Sequence, residues 1–182
     1  MDKEKKIENK YVIKQLIGSG GLASVYKAWD TMLHKYVAVK KIHKKFSDDA
    51  KFVDMFRQEA VNTARLEHEN IVRVVNFIKE NGDYYMVMDY VKGVDLEYFL
   101  KKCRKSDISV PPEIAFYIIA ELVKALDYAH KVKDELSGKP LNIVHRDVSP
   151  GNVMLYYSGK IKLTDVADAE NLLRFIQAVP RQ

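Results

Sequence analysis

The stretch that most limits what this chain can become runs from His145 to Asn152, His-Arg-Asp-Val-Ser-Pro-Gly-Asn. Ser149-Pro150-Gly151 breaks any helix, so Asp147 and Asn152 must sit on a loop. Asp165 follows at the end of an apolar run. Two carboxylates and one amide on loops beside short strands suit a hard cation and phosphate, because Mg²⁺ prefers oxygen ligands.

A chain of 182 residues, 47% hydrophobic and 30% charged, is long enough to bury a core as one domain or two small lobes. It holds no apolar run of the roughly 18 residues that a membrane span needs. Its first residues are charged in both signs and show no apolar signal core, and Cys103 is the single cysteine. A disulfide framework and a cysteine metal cluster are therefore excluded, and a reducing, cytoplasmic setting is expected. The net charge of +5 is spread along the chain, and the early Lys3, Lys5, Lys6 and Lys10 are interrupted by acids. That pattern reads as a solvated surface, with no nucleic-acid partner expected.

Residues 11–17 and 23–29 read as strands around Gly18-Ser19-Gly20-Gly21. Taken alone, these glycines make either a plain hairpin turn or a turn whose N–H groups approach a phosphate. A Rossmann unit is disfavoured, because β-branched and aromatic residues follow rather than a helix. A third strand, 36–42, places Ala38, Lys40 and Ile42 on one face. A helix over 48–66, capped at Ser47 or Asp48, carries Phe52, Phe56, Thr63 and Leu66 on one stripe with Glu59 among them. Lys40 alone reads as a surface lysine and Glu59 alone as an anomaly. Together they suggest an internal ion pair, because a carboxylate on a buried face needs a cation. Strands 71–78 and 83–91 flank Asn81-Gly82, a type I′ hairpin signal.

Five antiparallel strands and one helix are thus expected before a boundary at Gly93. Beyond it come a short helix near 95–103 and a long one after Pro112 with Ile114, Ile118, Leu122, Ala125 and Ala129 at helical spacing. A polar loop spans 131–142, and a small hairpin, 153–157 with 160–164, presents Asp165 beside the Asp147–Asn152 loop.

In this order the motifs resemble those of eukaryotic-type Ser/Thr protein kinases of the kind also found in bacteria. Gly18 to Val25 resembles the glycine-rich loop and Val37-Ala38-Val39-Lys40 the V-A-I-K strand, with Glu59 as its partner. His68-Glu69-Asn70-Ile71-Val72 resembles the start of the fourth strand, His145 to Asn152 the catalytic loop, and Asp165 the metal-binding aspartate. The resemblance implies an α+β, bilobal fold: a charged extension over 1–10, an N-lobe over 11–92 and a partial helical C-lobe over 93–167. A short amphipathic helix over 168–182, on Ala169, Leu172, Leu173 and Ile176, would follow in place of the activation segment, so the chain reads as a truncated kinase.

It also implies Mg-ATP as the cofactor and protein Ser/Thr hydroxyls as the substrate. Ile17 and the backbone of Gly18, Ser19, Gly20 and Gly21 would cover the nucleotide. Lys40, held by Glu59, would bind the α- and β-phosphates. Asp147 would take the substrate proton, and Asn152 and Asp165 would hold Mg²⁺. Val25, Ala38 and Met154 would sandwich adenine, Met88 would be the gatekeeper, and the Asp89 carbonyl and Val91 N–H would read the adenine edge. His145 keeps a structural role.

The chain departs from the family pattern at four places. Ala23 replaces the third glycine. Ser149 stands where a lysine is usual. Val166-Ala167 follow Asp165 in place of Phe-Gly. The activation segment, its Ala-Pro-Glu anchor and the later helices do not appear before Gln182, and residues 165–182 hold no Ser, Thr or Tyr. These departures leave a second expectation open: a kinase-like ATP-binding or regulatory module with weak transfer, and a partner chain covering the incomplete lobe. A small-molecule phosphotransferase is a third reading, which the details of residues 68–70 and 145–147 fit less well.

Overall fold

The computed structural model describes residues 5–135, 137–141, 143, 145 and 148–165. The chain divides into two compact units. The first comprises Met1–Ala64 and Arg73–Tyr90, the second Arg65–Val72 and Val91–Gln182.

The first unit is a six-stranded antiparallel sheet: β1 (Lys6–Ile7), β2 (Tyr11–Ser19), β3 (Ala23–Asp30), β4 (Lys35–Ile42), β5 (Val74–Glu80) and β6 (Asp83–Asp89), in the order β1-β2-β3-β4-β6-β5. The five expected strands are all present. The sixth, β1, lies in the stretch read as a charged extension. Its Ile7 is fully buried with Tyr11, Ala28, Val37, Val39, Tyr85 and Val87 on one face of the sheet. Burying an isoleucine contributes roughly 1.5–3 kcal/mol, which outweighs the pull of the flanking charges toward water. Asn81 and Gly82 both take positive φ, 52° and 75°, as a type I′ turn requires, and Glu80 pairs with Asp83 across it.

The helix expected over 48–66 is present as α2 (Ala50–Ala64), shorter at both ends, and an unexpected short helix, α1 (Lys44–Ser47), precedes it. Ser47 turns its hydroxyl back to the Lys44 carbonyl (2.9 Å), and the Asp49 carboxylate accepts from the Lys51 N–H (2.9 Å). Short polar side chains thus satisfy the backbone locally and interrupt the helix, and Asp49 takes the capping role expected of Ser47 or Asp48. Phe56, Ala60 and Thr63 of α2 are buried, and the Phe56 ring lies 5.7 Å from that of Phe77 on β5.

In the second unit, β7 (Gly93–Asp95), β8 (Val153–Tyr156) and β9 (Ile161–Leu163) form a three-stranded antiparallel sheet. The hairpin of β8 and β9 was expected, with Gly159 at φ 88° in its turn; β7 was not. α3 (Leu96–Lys105) is capped by the Asp95 carboxylate, which accepts from the Tyr98 N–H at 2.7 Å. α4 (Pro112–Lys131) begins on proline, whose fixed φ suits the first turn. Its Ile118, Ala125 and Ala129 join Leu66, Ile71, Ile143, Val153, Ile161 and Leu163 in one core.

Three expectations fail here. Ile114 is 44% exposed, because the core begins one turn further along α4, where β9 packs. Leu66 lies beyond the end of α2, buried in this second core rather than on the α2 stripe. The strand expected from Ile71 starts only at Val74. Ile71 bridges Leu163 in parallel, and the Val72 N–H donates to the Leu163 carbonyl (2.9 Å), so residues 65–72 serve the second unit. No helix among the described residues is long and apolar enough to cross a membrane. The helix expected over 168–182, and Val166-Ala167, lie outside the described residues.

Candidate functional site

The candidate residues divide between the two units, each with its own geometry. Ile17, Gly18 to Gly21, Val25, Ala38, Lys40, Glu59, Met88 and Asp89 belong to the first. Val91, Asn152, Met154 and Asp165 belong to the second. Asp147 lies outside the described residues.

In the first unit, β2 and β3 run antiparallel with Gly18 opposite Val25 and Ser19 opposite Ser24. The Gly20 N–H donates to the Ala23 carbonyl at 2.9 Å and closes the turn. None of Gly18, Gly20 or Gly21 has a left-handed φ. A Cβ added at Gly18 or Gly20 would make only ordinary contacts, at 3.8 and 3.9 Å, and one at Gly21 would meet nothing within 4 Å. The fold itself therefore does not require glycine at these positions. What glycine leaves is open space over exposed backbone, the condition for close approach of a ligand.

Alternation along β4 sets Ala38, Lys40 and Ile42 on the face opposite Val37 and Val39. Lys40 pairs in register with Val25 on β3 and Met86 on β6; Ala38 pairs with Met88, and Val37 with Asp89. The Lys40 ammonium donates to the Glu59 carboxylate of α2 at 2.7 Å, and both side chains are mostly buried, 14% and 17% exposed. The ion pair inferred from two misplaced charges is therefore present. Ala38 and Met88 are each 8% exposed, so the strand positions read as an adenine wall are small or apolar and mostly enclosed. The Asp89 carboxylate accepts from Lys35 Nζ (3.1 Å), while its N–H donates to the Arg73 carbonyl (3.0 Å). Ile17 is 44% exposed at the edge of the turn.

In the second unit, Pro150–Asn152 form one turn of 3-10 helix, in which the Asn152 N–H donates to the Ser149 carbonyl (3.0 Å). The Asn152 carbonyl in turn accepts from the Thr164 N–H at 2.9 Å and from its hydroxyl at 3.2 Å. This doubly bonded step ties Asn152 to the residue preceding Asp165. His145 is 2% exposed, and its Nε2 lies 2.8 Å from the Thr164 carbonyl. A carbonyl only accepts, so Nε2 carries the proton and His145 holds the backbone of Thr164, the residue before Asp165. Asp165 itself adopts φ 54°, a left-handed conformation that aspartate tolerates better than most residues. Met154 faces Asp95 across β7 and β8, and Val91 is buried, with its carbonyl accepting from the Gly93 N–H (3.1 Å).

Two supports escaped sequence reasoning. Asn70 donates through Nδ2 to the Glu121 carboxylate (2.7 Å) and to the Ile161 carbonyl (3.0 Å), and its own carbonyl accepts from the Leu163 N–H (2.7 Å). Lys162 Nζ donates to the Ile71 carbonyl at 2.8 Å. Both anchor β9 just before Asp165. The available signal was a polar residue, Asn70, ahead of an apolar run. Among the described residues no group of three or more His, Cys, Asp or Glu side chains is placed to hold a metal. Asn152 and Asp165 by themselves offer an amide and a carboxylate oxygen, a donor set that suits Mg²⁺ bound largely through phosphate and water.

A model of the protein kinase domain family matches residues 11–174. The serine/threonine-protein kinase PrkC of Bacillus subtilis is 34% identical over 168 residues, covering 92% of this chain and 24% of that protein. A probable serine/threonine-protein kinase of Clostridium acetobutylicum is 37% identical over 167 residues, covering 91% and 23%. The tyrosine-protein kinase MasK of Myxococcus xanthus is 33% identical over 168 residues, covering 90% and 26%. The chain thus spans about a quarter of the length of these relatives. Among solved structures, the PknI kinase domain of Mycobacterium tuberculosis superposes with a TM-score of 0.72 at 26% identity, over 92% of this chain and 63% of that one.

Proposed function

The chain belongs to the protein kinase domain family, and on that premise we propose that it binds Mg-ATP and directs its γ-phosphoryl group to a protein hydroxyl. The family's enzymes are protein kinases, and the α+β architecture is theirs. The observation that carries the nucleotide reading is the glycine-rich turn. Its three glycines are required neither by backbone conformation nor by packing, and they leave open space over exposed backbone. The enclosed Lys40–Glu59 pair supplies the cation such a turn needs nearby in function, held at a fixed position rather than free to wander.

When bound, Mg-ATP would supply the activated phosphoryl group, with Mg²⁺ screening part of the phosphate charge. This chain's residues position and screen. In this reading the backbone around Ser19 and Gly21, on either side of the Gly20 N–H that closes the turn, covers the phosphates, Lys40 would neutralise the α- and β-phosphates, and Glu59 keeps Lys40 in place. By the family resemblance Val25, Ala38 and Met88 of the first unit, and Met154 of the second, would each contact the base, and the Asp89 carbonyl and the Val91 N–H would each be groups that read its edge. Asp147 accepts the proton of the attacking hydroxyl. Asn152 and Asp165 would hold the cation, with Thr164 bonded to the Asn152 carbonyl and His145 to the Thr164 carbonyl. Among the relatives are both serine/threonine and tyrosine kinases, and serine/threonine is the class that most of them share.

A second reading, weak transfer by a nucleotide-binding module, is favoured by one observation. Ser149 brings no cation to the loop, and a Cβ at Gly151 would lie 3.7 Å from a Glu97 carboxylate oxygen and 4.0 Å from Ser149 Oγ. The side chains beside Gly151 are thus a hydroxyl and the carboxylate of Glu97, itself paired with Lys101 at 2.7 Å, and neither replaces the missing lysine. A partner chain, part of the same reading, would find an apolar face on α4, where Phe116, Ile119 and Val123 are each more than half exposed. A reducing compartment suits the single, buried Cys103.

The experiment is calorimetry of Mg-ATP binding followed by transfer of labelled γ-phosphate to a generic protein substrate. Saturable binding that Lys40→Met abolishes supports the nucleotide reading, and its absence in the unmodified chain overturns it. Transfer that Asp147→Ala abolishes supports the enzyme over the module. Binding without transfer reverses that order.

A further inference from the structure

Away from Lys40, on the opposite face of β4, the first unit holds a pocket of about 190 Å³ lined by Ser24, Tyr26, Lys41, Ile42, His43 and Lys44. Its volume is that of about six water molecules, enough for a tetrahedral oxyanion with its first waters. The wall holds two lysines, a histidine, a hydroxyl and a phenol, and no carboxylate. The nearest acids are outside it. Asp83 accepts from Lys41 Nζ at 2.6 Å and from the Tyr85 hydroxyl at 3.2 Å; Asp48 lies 3.8 Å from Lys44 Nζ, with both side chains of that pair mostly exposed. Lys5 adds a third ammonium beside Lys41, and Glu80 a more distant carboxylate. One hydroxyl joins this wall to the glycine-rich turn: Ser24 Oγ is 3.0 Å from His43 Nε2 and 3.2 Å from Ser19 Oγ, and the His43 N–H holds the Leu22 carbonyl at 2.8 Å.

We propose that this pocket binds a phosphate-class anion, received by Lys41, His43 and Lys44 beside the Ser24 hydroxyl. Lys41, His43 and Lys44, from four consecutive positions, all line the pocket, at the point where β4 ends at Ile42 and α1 begins at Lys44. A charge-assisted contact from each is the strong kind of hydrogen bond. An anion that engages His43 also acts on the hydroxyl that His43 shares with Ser19, so occupancy of the pocket is communicated to the turn. The functional weight of that link rests on the nucleotide reading above; the binding itself does not.

The test is amide NMR of the whole chain at constant ionic strength, titrating inorganic phosphate against chloride and then a phosphoserine peptide against its unphosphorylated form. Saturable shifts at Ser24, His43 and Lys44 are expected. Affinity should fall about tenfold in Lys44→Gln, whose side chain is 66% exposed and is therefore removable without unfolding. His43→Gln gives an independent second variant. Tighter binding of the phosphopeptide identifies a protein-borne phosphomonoester as the source, and equal binding identifies the free anion; either supports the site. Movement of the Ser19 amide at the same midpoint supports the link to the turn, and a still Ser19 overturns that link. The site is overturned by shifts confined to residues 18–21 and Lys40, by an equal response to chloride, or by an unchanged midpoint in both variants. Because no nucleotide is present, failure here leaves Mg-ATP binding untouched, and failure of Mg-ATP binding leaves this result untouched.

Discussion

Replacing Gly93 with alanine tests how the second unit holds Asn152 and Asp165. A Cβ at Gly93 would sit 1.8 Å from the Leu155 carbonyl oxygen, 2.7 Å from its carbon and 2.9 Å from the Tyr156 Cα. A carbon and a carbonyl oxygen approach no closer than roughly 3.3 Å, so about 1.5 Å of movement is needed. All three obstructing atoms are backbone, so no side chain can rotate away. The movement must separate β7 from β8, which pair at Gly93–Tyr156, Val94–Leu155 and Asp95–Met154. Overpacking of this kind costs about 1–3 kcal/mol, and the upper end applies when backbone must yield. About 3 kcal/mol in a chain of this size lowers Tm by roughly 6–12 °C. Thermal unfolding followed by circular dichroism measures it directly. β8 also pairs with β9, and Asn152 is bonded to Thr164, so affinity for the Mg²⁺ form of the nucleotide should fall with stability. Gly151→Ala is the control, since its Cβ meets only ordinary contacts at 3.7 and 4.0 Å. A Gly93→Ala protein that melts within about 1 °C of the unmodified chain would refute the argument.

Gly21→Ala should leave Tm unchanged, because its Cβ meets nothing, yet weaken Mg-ATP binding several-fold by calorimetry; equal affinity would mean that the open space serves no ligand. Glu59→Gln keeps the shape of α2 but removes the charge 2.7 Å from Lys40, and a rise of about tenfold in the nucleotide Kd, equivalent to about 1.4 kcal/mol, is expected. Acid titration should expose Asp30. Burial opposes its ionisation, but the Leu33 and Met32 N–H groups and the Lys10 ammonium more than offset that and hold the carboxyl below its usual range. Since the folded pKa is the lower one, this contribution is complete above the unfolded value of about 3.9 and disappears as pH falls through the folded value. Urea midpoints between pH 2 and 6 should therefore drop less steeply in Asp30→Asn than in the unmodified chain, and parallel curves would contradict the assignment.

Much of the candidate site was legible in the sequence because its signals are local or periodic. Alternation places Lys40 on an apolar face and helical spacing does the same for Glu59, and the cost of an unpaired buried charge joins them; the two meet at 2.7 Å. Asn81-Gly82 named its own turn, since only residues tolerant of positive φ fit it. The break at Ser149-Pro150-Gly151 and the hairpin from Val153 were likewise written in backbone chemistry.

Tertiary structure decided what depends on distant partners. Ile7 is a strand residue because a sheet face built from residues 11–87 waits for it. Residues 65–72 join the second unit because Leu163, about ninety positions later, takes their hydrogen bonds. Gly93 reads in the sequence as a boundary, but in the fold its missing Cβ is what lets β7 lie this close to the Leu155 carbonyl. The division follows from range. Propensity, turn geometry and periodicity act within a few residues and are printed in the chain. Burial and backbone pairing between remote segments depend on which surfaces meet, and only the folded sheets fix that.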